Sequence, residues 1–142
     1  MFFGEYKHSL DEKGRLRIPV KLRNNLCNGY VVTKGSNGCL FVFDKKYFSE
    51  EFLNKLSNVP TFNADSQKPV RLLLSSTFEV EEDAQGRFIL PSNLKEFAGI
   101  SKNITIVGVG SRIEIWDEAK WTAYTSSESF DDVIKNLNSY NV

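Results

Sequence analysis

The segment DEKGRLRIP at residues 11–19 returns 72 positions later as DAQGRFILP at residues 83–91, and each copy is followed by a leucine three positions on. A repeat at a fixed spacing indicates that one small folding unit was duplicated. The chain is therefore predicted to contain two like copies. The differences between the copies then indicate which of them carries the function.

The repeat extends beyond this segment on both sides. Residues 6–10 correspond to residues 78–82, and Phe43-Asp44 corresponds to Trp116-Asp117 with a shift of one residue. Each copy is predicted to form a strand, a turn, a strand, a short helix, a hairpin and a helix, so the fold class is α+β with small antiparallel sheets. The predicted domains are a first module at 1–60, a linker and connecting helix at 61–76, a second module at 77–124, and a C-terminal helix and tail at 125–142.

The pattern Asp-x-x-Gly marks a tight turn in each copy. The side chains of Asp11 and Asp83 can accept backbone N–H groups of the turn, and Gly14 and Gly86 can adopt a positive φ. Each turn is therefore predicted to join the two arms of a β-hairpin.

Alternation of apolar and charged residues predicts that the strand after the first turn is half-buried. Leu16 and Ile18 share the buried face, and Arg15 and Arg17 share the exposed face. In the arm before the turn, Lys7 is predicted to lie on the solvent face.

Proline residues divide the strands from the helices that follow them. Pro19 and Pro91 end the two strands and can open helices, because proline fits the first helical turn. The remaining predicted elements are, in chain order, helix 20–26, hairpin 30–33 with 40–43, helix 44–56, helix 66–75, helix 92–98, hairpin 104–107 with 112–116, and a weaker helix after residue 117.

The bulk composition suits one ordinary domain or two half-sized modules that share a core. The chain has 142 residues, of which 41% are hydrophobic and 13% aromatic. No run of eighteen apolar residues could span a bilayer, and residues 1–5 lack the basic start and apolar core of a signal peptide. The sequence therefore predicts a cytoplasmic protein that does not bind a membrane.

Catalysis and metal binding lack the residues that they need. His8 is the single histidine and is predicted to lie on the apolar face of a strand, outside any catalytic set. Cys27 and Cys39 have no C-x-x-C spacing, so they are predicted to be buried or free thiols without a metal. The chain is therefore predicted not to be an enzyme and to bind no cofactor or small-molecule substrate. The aromatic residues that could stack on bases are instead predicted to pack in the core: Phe41, Phe43, Trp116 and Trp121.

Charge is distributed unevenly between the copies, although the net charge is zero. Residues 5–23 carry six lysines or arginines and three acids, whereas residues 77–95 carry two and four. A two-stranded ribbon can enter the major groove of DNA, where arginine reads guanine and lysine neutralises phosphate. The residues predicted to do this are Lys7, Lys13, Arg15 and Arg17, and the alternative is a solvated strand face without a partner.

Residues 4–15, GEYKHSLDEKGR, together with Pro19 resemble the start of the MraZ family, whose members carry two AbrB-like modules in one chain. Residues 77–116 are similar to the second module of that family, through Gly86-Arg87, Val107-Gly108 and the segment RIEIW at 112–116. The matching motif residues are Asp11 and Arg15 in the first copy and Asp83 and Arg87 in the second.

The resemblance implies both a fold and a function. In AbrB-like proteins two modules form a swapped-hairpin barrel, so the two β-α-β copies of this chain are expected to form one pseudo-twofold barrel with flanking helices. MraZ proteins are ring-forming transcriptional regulators that bind direct repeats in the promoter of their division and cell-wall gene cluster. The implied partners are double-stranded DNA and further copies in a homo-oligomeric ring, in the cytoplasm and associated with the nucleoid.

Two functions from different classes remain open. A sequence-specific regulator would contact the major groove through Arg15 and Arg17, with Lys7 and Lys13 on phosphates. The alternative is a ring-forming structural or protein-interaction module whose basic hairpin binds another protein. A steep loss of DNA affinity with salt distinguishes the first from the second.

Overall fold

The chain folds into a six-stranded antiparallel sheet and a separate two-stranded ribbon, with helices around them. The computed structural model describes all of residues 1–142. The strands are β1 Phe2–Ser9, β2 Arg15–Arg17, β3 Tyr30–Lys34, β4 Leu40–Asp44, β5 Phe78–Glu79, β6 Arg87–Ile89, β7 Asn103–Gly110 and β8 Ile113–Asp117. The order of strands in the larger sheet is β1-β7-β8-β4-β3-β5, and the ribbon is β2-β6.

Strands pair between the two copies and not across the predicted turns. β1 pairs with β7, β5 pairs with β3, and the ribbon joins β2 to β6. The ends of each turn are linked by a backbone hydrogen bond, from the N–H of Asp11 to the carbonyl of Arg15 at 3.0 Å and from Asp83 to Arg87 at 2.8 Å. Beyond these bonds the arms separate into different sheets, so the predicted local hairpins are wrong. Alternation specifies which face of a strand is buried, but it does not specify which strand lies beside it.

The other two hairpins form as predicted. β3 pairs with β4 and β7 pairs with β8, and the two hairpins are joined through β4 and β8, where Val42 lies opposite Ile113. Asn37 and Gly38 turn the first hairpin with φ angles of 56° and 76°. The middle of the sheet is therefore built from equivalent strands of the two copies.

The helices lie near their predicted positions, with some shifted ends. Pro19 and Pro91 occupy the N-cap positions of two helices, and the first of these ends at Arg23 rather than at residue 26. The helical segment 45–56 contains a π-helical turn at Phe48–Phe52, and the chain after residue 117 forms two helices. No helix combines the length and the apolar character that crossing a membrane requires. The α-helices are α1 Val20–Arg23, α2 Lys45–Tyr47, α3 Leu53–Leu56, α4 Ala64–Ser75, α5 Ser92–Ala98, α6 Glu118–Thr125 and α7 Phe130–Asn138.

A single main core is shared by both copies. It contains 19 buried residues from the ribbon, the larger sheet and the helices α1 and α5. Leu16 and Ile18 are 2% and 0% exposed, which confirms the buried face predicted for β2. His8, in contrast, is exposed, so its predicted core position is wrong. It lies near the end of β1, an edge strand of the sheet, where only one neighbouring strand covers the backbone.

A pseudo-twofold axis passes through the middle of the ribbon. Leu16 lies opposite Phe88, and these two residues are equivalent positions of the repeat. The pairs on either side, Arg15 with Ile89 and Arg17 with Arg87, exchange under the same axis. The two Asp-x-x-Gly turns therefore lie at opposite ends of the ribbon, at equivalent positions of the backbone.

Candidate nucleic-acid interface

The first turn is held closed by its aspartate. Oδ1 of Asp11 accepts hydrogen bonds from the backbone N–H groups of Lys13 at 3.0 Å and Arg15 at 2.8 Å, and Oδ2 accepts from Nε of Arg15 at 2.6 Å. Gly14 completes the turn with a φ of 74°, as the pattern predicted. The hydrogen bond from the backbone of Arg15 is the largest cause of a lowered pKa at the Asp11 carboxyl.

The second turn repeats this geometry. Oδ1 of Asp83 accepts from the backbone N–H groups of Gln85 and Arg87, both at 2.9 Å, and Oδ2 accepts from Nε of Arg87 at 2.8 Å. Gly86 has a φ of 78°. The backbone hydrogen bond from Arg87 is again the largest cause of a lowered pKa, here at Asp83.

The aspartate and arginine of each motif therefore form a clasp that closes the turn. Arg15 and Arg87 each use Nε for the clasp, and their Nη groups donate no hydrogen bond within the chain. The clasp fixes the direction of each guanidinium while leaving its outer edge free. The arginines can thus bind an external acceptor without breaking the turn.

The ribbon presents three arginines and one isoleucine on its outer face. Leu16 and Phe88 point into the core, so the residues on either side of them face outward. Arg17 is exposed and makes no ion pair, and Ile89 is 60% exposed. The outward residues are Arg15 and Arg17 on β2 and Arg87 and Ile89 on β6.

Lys7 does not belong to this ribbon. It is exposed on β1, where it lies opposite Thr105 of β7 in the larger sheet. The prediction that Lys7 shares one ribbon face with Arg15 and Arg17 is therefore wrong, because the arms of the first turn separate. Lys13 lies at the turn, exposed, as predicted.

An open cleft beside the first turn has a mostly cationic lining. Its walls are the turn itself, α5 and the loop before β7, so both copies contribute to it. The charged residues of the lining are Asp11, Glu12, Lys13, Arg15, Arg87, Lys95 and Lys102. Five cations thus face two carboxylates, one of which is already bonded to Arg15. The cleft is suited to attract an anion.

Lys95 and Lys102 are functional candidates that the sequence reasoning missed. The charge comparison assigned Lys95 to the acidic second copy, and strand pairing brings it to the first turn. The N–H of Leu10 donates to the carbonyl of Lys102 at 2.8 Å, which places that loop directly beside the turn. The repeat could have indicated Lys95, because Lys95 occupies the repeat position of Arg23, which is one of the six cations counted in residues 5–23.

The equivalent region beside the second turn is closed by an ion pair. Glu82, at the repeat position of Leu10, accepts from Nε and Nη2 of Arg23 at 2.8 and 3.0 Å and from the Tyr30 hydroxyl at 2.8 Å. The hydrogen bond from Arg23 lowers the pKa of Glu82, and Glu82 raises the pKa of Arg23. Burial, followed by the bond to Glu82, raises the pKa of Tyr30.

The space above the two turn glycines shows the same difference. A β-carbon built on Gly86 would lie 2.9 Å from Cζ of Arg23, so the guanidinium covers the second turn. A β-carbon built on Gly14 would meet nothing within 4 Å. One region is therefore filled by an ion pair of the protein itself, and the other is open.

Two acids of the second copy are neutralised by cations of the first. Glu79 pairs with Lys45, and Glu82 pairs with Arg23. The predicted contrast between a basic first copy and an acidic second copy consequently does not hold at the ribbon, where both copies present arginine.

The thiols and the large aromatic residues pack within the fold or at its surface. Cys39 is buried, which raises the pKa of its thiol to about 12, whereas Cys27 is exposed. No three His, Cys, Asp or Glu side chains are grouped so that they could hold a metal ion. Of the aromatic residues predicted in the core, Phe43 and Trp116 are buried, and Phe41 and Trp121 are partly buried.

The amino-acid sequence is similar to known proteins along nearly all of its length. A family model described as MraZ protein, putative antitoxin-like, matches residues 1–72 and again residues 73–137. A protein of Clostridium beijerinckii named transcriptional regulator MraZ is 45% identical over 141 residues, which are 97% of each chain. Proteins of the same name from Syntrophomonas wolfei and Clostridium botulinum are 42% and 44% identical over 139 residues and cover 96% and 97% of each chain. These names describe regulators, in agreement with the prediction that the chain is not an enzyme.

Proposed function

Because the chain belongs to the MraZ family, we propose that it is a transcriptional regulator that binds double-stranded DNA with its β2-β6 ribbon. The observation that supports this most strongly is the outer face of the ribbon, where three arginines lie side by side on two paired strands. A two-stranded ribbon fits the major groove, which is about 12 Å wide. Arginine is also the side chain that most often reads guanine there.

Arg15 and Arg17 contact base edges in this proposal. Arg17 has no partner in the chain, and Arg15 is held by its clasp with both Nη groups free. Nε of Arg15 is already hydrogen-bonded to Asp11. Less side-chain conformational entropy is therefore lost when the two Nη groups of Arg15 bind DNA. Lys13 neutralises a phosphate beside the turn, and Lys7 on β1 neutralises a phosphate outside the groove.

The pairing of the strands supports a barrel of the swapped-hairpin type. β1 with β7, β5 with β3, and β2 with β6 each join one copy to the other. The modules at 1–60 and 77–124 therefore act as the two halves of one DNA-binding unit, with each half supplying one strand of the ribbon.

The regulator acts as a homo-oligomeric ring, in the cytoplasm and on the nucleoid, at direct repeats in the promoter of the division and cell-wall genes. One ribbon carries few cations, which alone gives weak binding in the range of about 10⁻⁴–10⁻⁶ M. Several linked ribbons bind neighbouring repeats at high effective concentration. Apolar residues on α7 support a contact between copies, since Phe130, Ile134 and Leu137 are 75%, 43% and 43% exposed.

A second candidate function is a ring-forming protein-interaction module. Ile89 favours it, because an apolar side chain that is 60% exposed at the end of a cationic ribbon suits a protein contact. In that case the arginines would bind acidic side chains of a partner.

DNA binding measured at increasing salt distinguishes the two functions. We expect the purified chain to bind duplex DNA from upstream of its own gene and to lose affinity steeply between about 50 and 200 mM salt, since released counterions set the slope. A scrambled duplex of the same length is the control and should bind weakly. Absence of binding to both duplexes would favour the protein-interaction module.

A further inference from the structure

The two ends of the ribbon are equivalent in backbone and different in charge. We propose that the open cleft beside the first turn binds one backbone phosphate of DNA, and that Glu82 closes the equivalent site beside the second turn. This proposal rests on the proposed DNA binding, and it assigns the phosphate contact to Lys95 and Lys102 in addition to Lys13.

The symmetry of the ribbon places both sites where DNA phosphates lie. The pseudo-twofold axis passes through the Leu16–Phe88 pair, so the two turns flank the ribbon at equal distances on opposite sides. A ribbon in the major groove has one phosphate backbone on each side of it. Each turn, with the helix beside it, therefore faces one of the two DNA strands.

The second site shows that this position of the fold holds an oxyanion. The carboxylate of Glu82 accepts two hydrogen bonds from Arg23, at 2.8 and 3.0 Å, and the guanidinium covers the glycine of the turn. A phosphate offers the same kind of acceptor pair to a cation at this position.

The first site has the same frame without the internal carboxylate. Lys95 replaces Arg23 and Leu10 replaces Glu82 at the equivalent repeat positions, so the acid that pairs with Arg23 has no counterpart here, and Lys95 makes no ion pair within the chain. The space above Gly14 is open, and Lys13 and Lys102 add positive charge to it. Five cations face two carboxylates in this lining, so the cleft attracts an anion from outside the chain, and at this end of the ribbon that anion is a DNA phosphate.

The ribbon therefore makes unequal contacts with the phosphate backbones of the two DNA strands. The open cleft neutralises a phosphate on one side, while the site closed by Glu82 adds no free cation on the other. A ribbon with two identical ends would bind its DNA site equally well in either orientation. The outer face of the ribbon already differs at one repeat position, where Ile89 stands in place of Arg17, and the single open cleft adds a second difference that favours one direction of binding on an asymmetric sequence.

Three variants and one control test the proposal by the salt dependence of duplex binding. Lys95→Met removes the charge and keeps the length of the side chain, so the salt slope should fall by about 1. Glu82→Leu copies the residue found at Leu10 and releases Arg23, so the slope should rise by about 1. Each change corresponds to about 3.5-fold in the loss of affinity between 50 and 200 mM salt. Lys68→Met, on the exposed surface of α4, is the matched control and should behave as the wild type.

Thermal melting of each variant shows whether it is folded. If Glu82→Leu melts early, Glu82→Gln keeps the shape of the side chain and removes the negative charge that neutralises Arg23, so it tests the same gain of a free positive charge. Slopes of Lys95→Met and of the Glu82 variant equal to that of the control overturn the proposal while leaving the DNA-binding function intact. A wild type that binds no duplex at all instead overturns the proposed function itself.

Competition with inorganic phosphate at constant ionic strength shows whether the cleft binds a backbone phosphate of DNA or a free phosphate ion. Submillimolar phosphate should leave the DNA affinity of the wild type unchanged, because a free phosphate ion makes none of the other contacts that the ribbon makes with DNA. Phosphate that displaces DNA from the wild type and not from Lys95→Met assigns the cleft to a free ion and overturns the proposal.

Discussion

Arg15 and Arg17 are neighbours on one face of β2, and both contact base edges in the proposed complex with DNA. Alternation placed both on the exposed face of β2, and the burial of Leu16 confirms this. The clasp between Arg15 and Asp11 was not predicted, because a separation of four residues brings two side chains together only once the turn geometry is known. Lys95 was missed for a related reason, since its position depends on pairing between distant strands.

The two arginines are expected to respond differently to removal. Arg15→Ala should lose specific DNA binding while the protein stays folded, because a bidentate guanine contact contributes about 1–3 kcal/mol. Arg17→Ala should weaken binding less and change the melting temperature little, since Arg17 makes no ion pair or hydrogen bond within the chain and acts on Glu82 only through its charge. Gel shifts and thermal melts test this, with Arg71→Ala on the exposed surface of α4 as the control. An unchanged gel shift for Arg15→Ala would refute its assignment.

The clasp also predicts how stability depends on pH. The pKa of Asp11 is lowered from its usual 3.8 in the folded state, so its contribution is present above that value and is lost as the pH falls through the lower folded pKa. Asp11→Asn lacks this titration. The difference in melting temperature between wild type and Asp11→Asn should therefore shrink from about pH 6 to about pH 3. A difference that stays constant over this range would contradict the role of the ionised carboxylate.

At the scale of elements, local pattern predicted the strands and helices well but misassigned two strand partners. The hairpins β3-β4 and β7-β8 were predicted correctly, because residues 35–38 and 108–111 connect adjacent runs. The Asp-x-x-Gly turns gave the same local signal, and there the arms separate into different sheets. The strands that pair between the copies enclose a core to which both copies contribute, and the repeat was the feature of the sequence that pointed to such a shared core.

The glycines of the two turns provide a test at this scale. Both have positive φ, so alanine at either position costs about 1–2 kcal/mol of stability. Gly86→Ala should cost more than Gly14→Ala, because its β-carbon would lie 2.9 Å from Cζ of Arg23 and would push that guanidinium away from its two hydrogen bonds with Glu82. Gly110→Ala is the control, with a φ of 75° and open space around it. Chemical unfolding measures the three values, and an equal loss at Gly14 and Gly86 would show that displacing Arg23 from the second turn costs no stability.

At the scale of the whole molecule, the account requires several ribbons to act together. The length suited one ordinary domain or two half-sized modules that share a core, the repeat favoured the second, and the main cluster of buried residues draws on both copies. Assembly between chains was implied only by the family resemblance, because one sequence contains no signal for which exposed apolar residues meet a second copy. The exposed apolar stripe of α7 now supplies a surface that can be tested.

Disruption of α7 should break the assembly without unfolding the chain. Ile134→Asp puts a charge into the apolar stripe, and this side chain is 43% exposed, so the fold should tolerate it. Light scattering with size exclusion should show a mass several times 16.2 kDa for the wild type and 16.2 kDa for Ile134→Asp. Asn136→Asp adds the same charge on the polar face and should leave the mass unchanged. A monomeric wild type would contradict the ring.

Binding of the wild type and of one double variant to two duplexes shows directly whether the β2-β6 ribbon reads DNA. Fluorescence anisotropy compares the wild type with the double variant Arg15→Ala/Arg17→Ala, each on a duplex from the chain's own upstream region and on a scrambled duplex. The wild type should prefer its own upstream duplex by about 10³ or more. The double variant should bind both duplexes weakly and equally. A double variant that keeps the preference of the wild type would contradict the account.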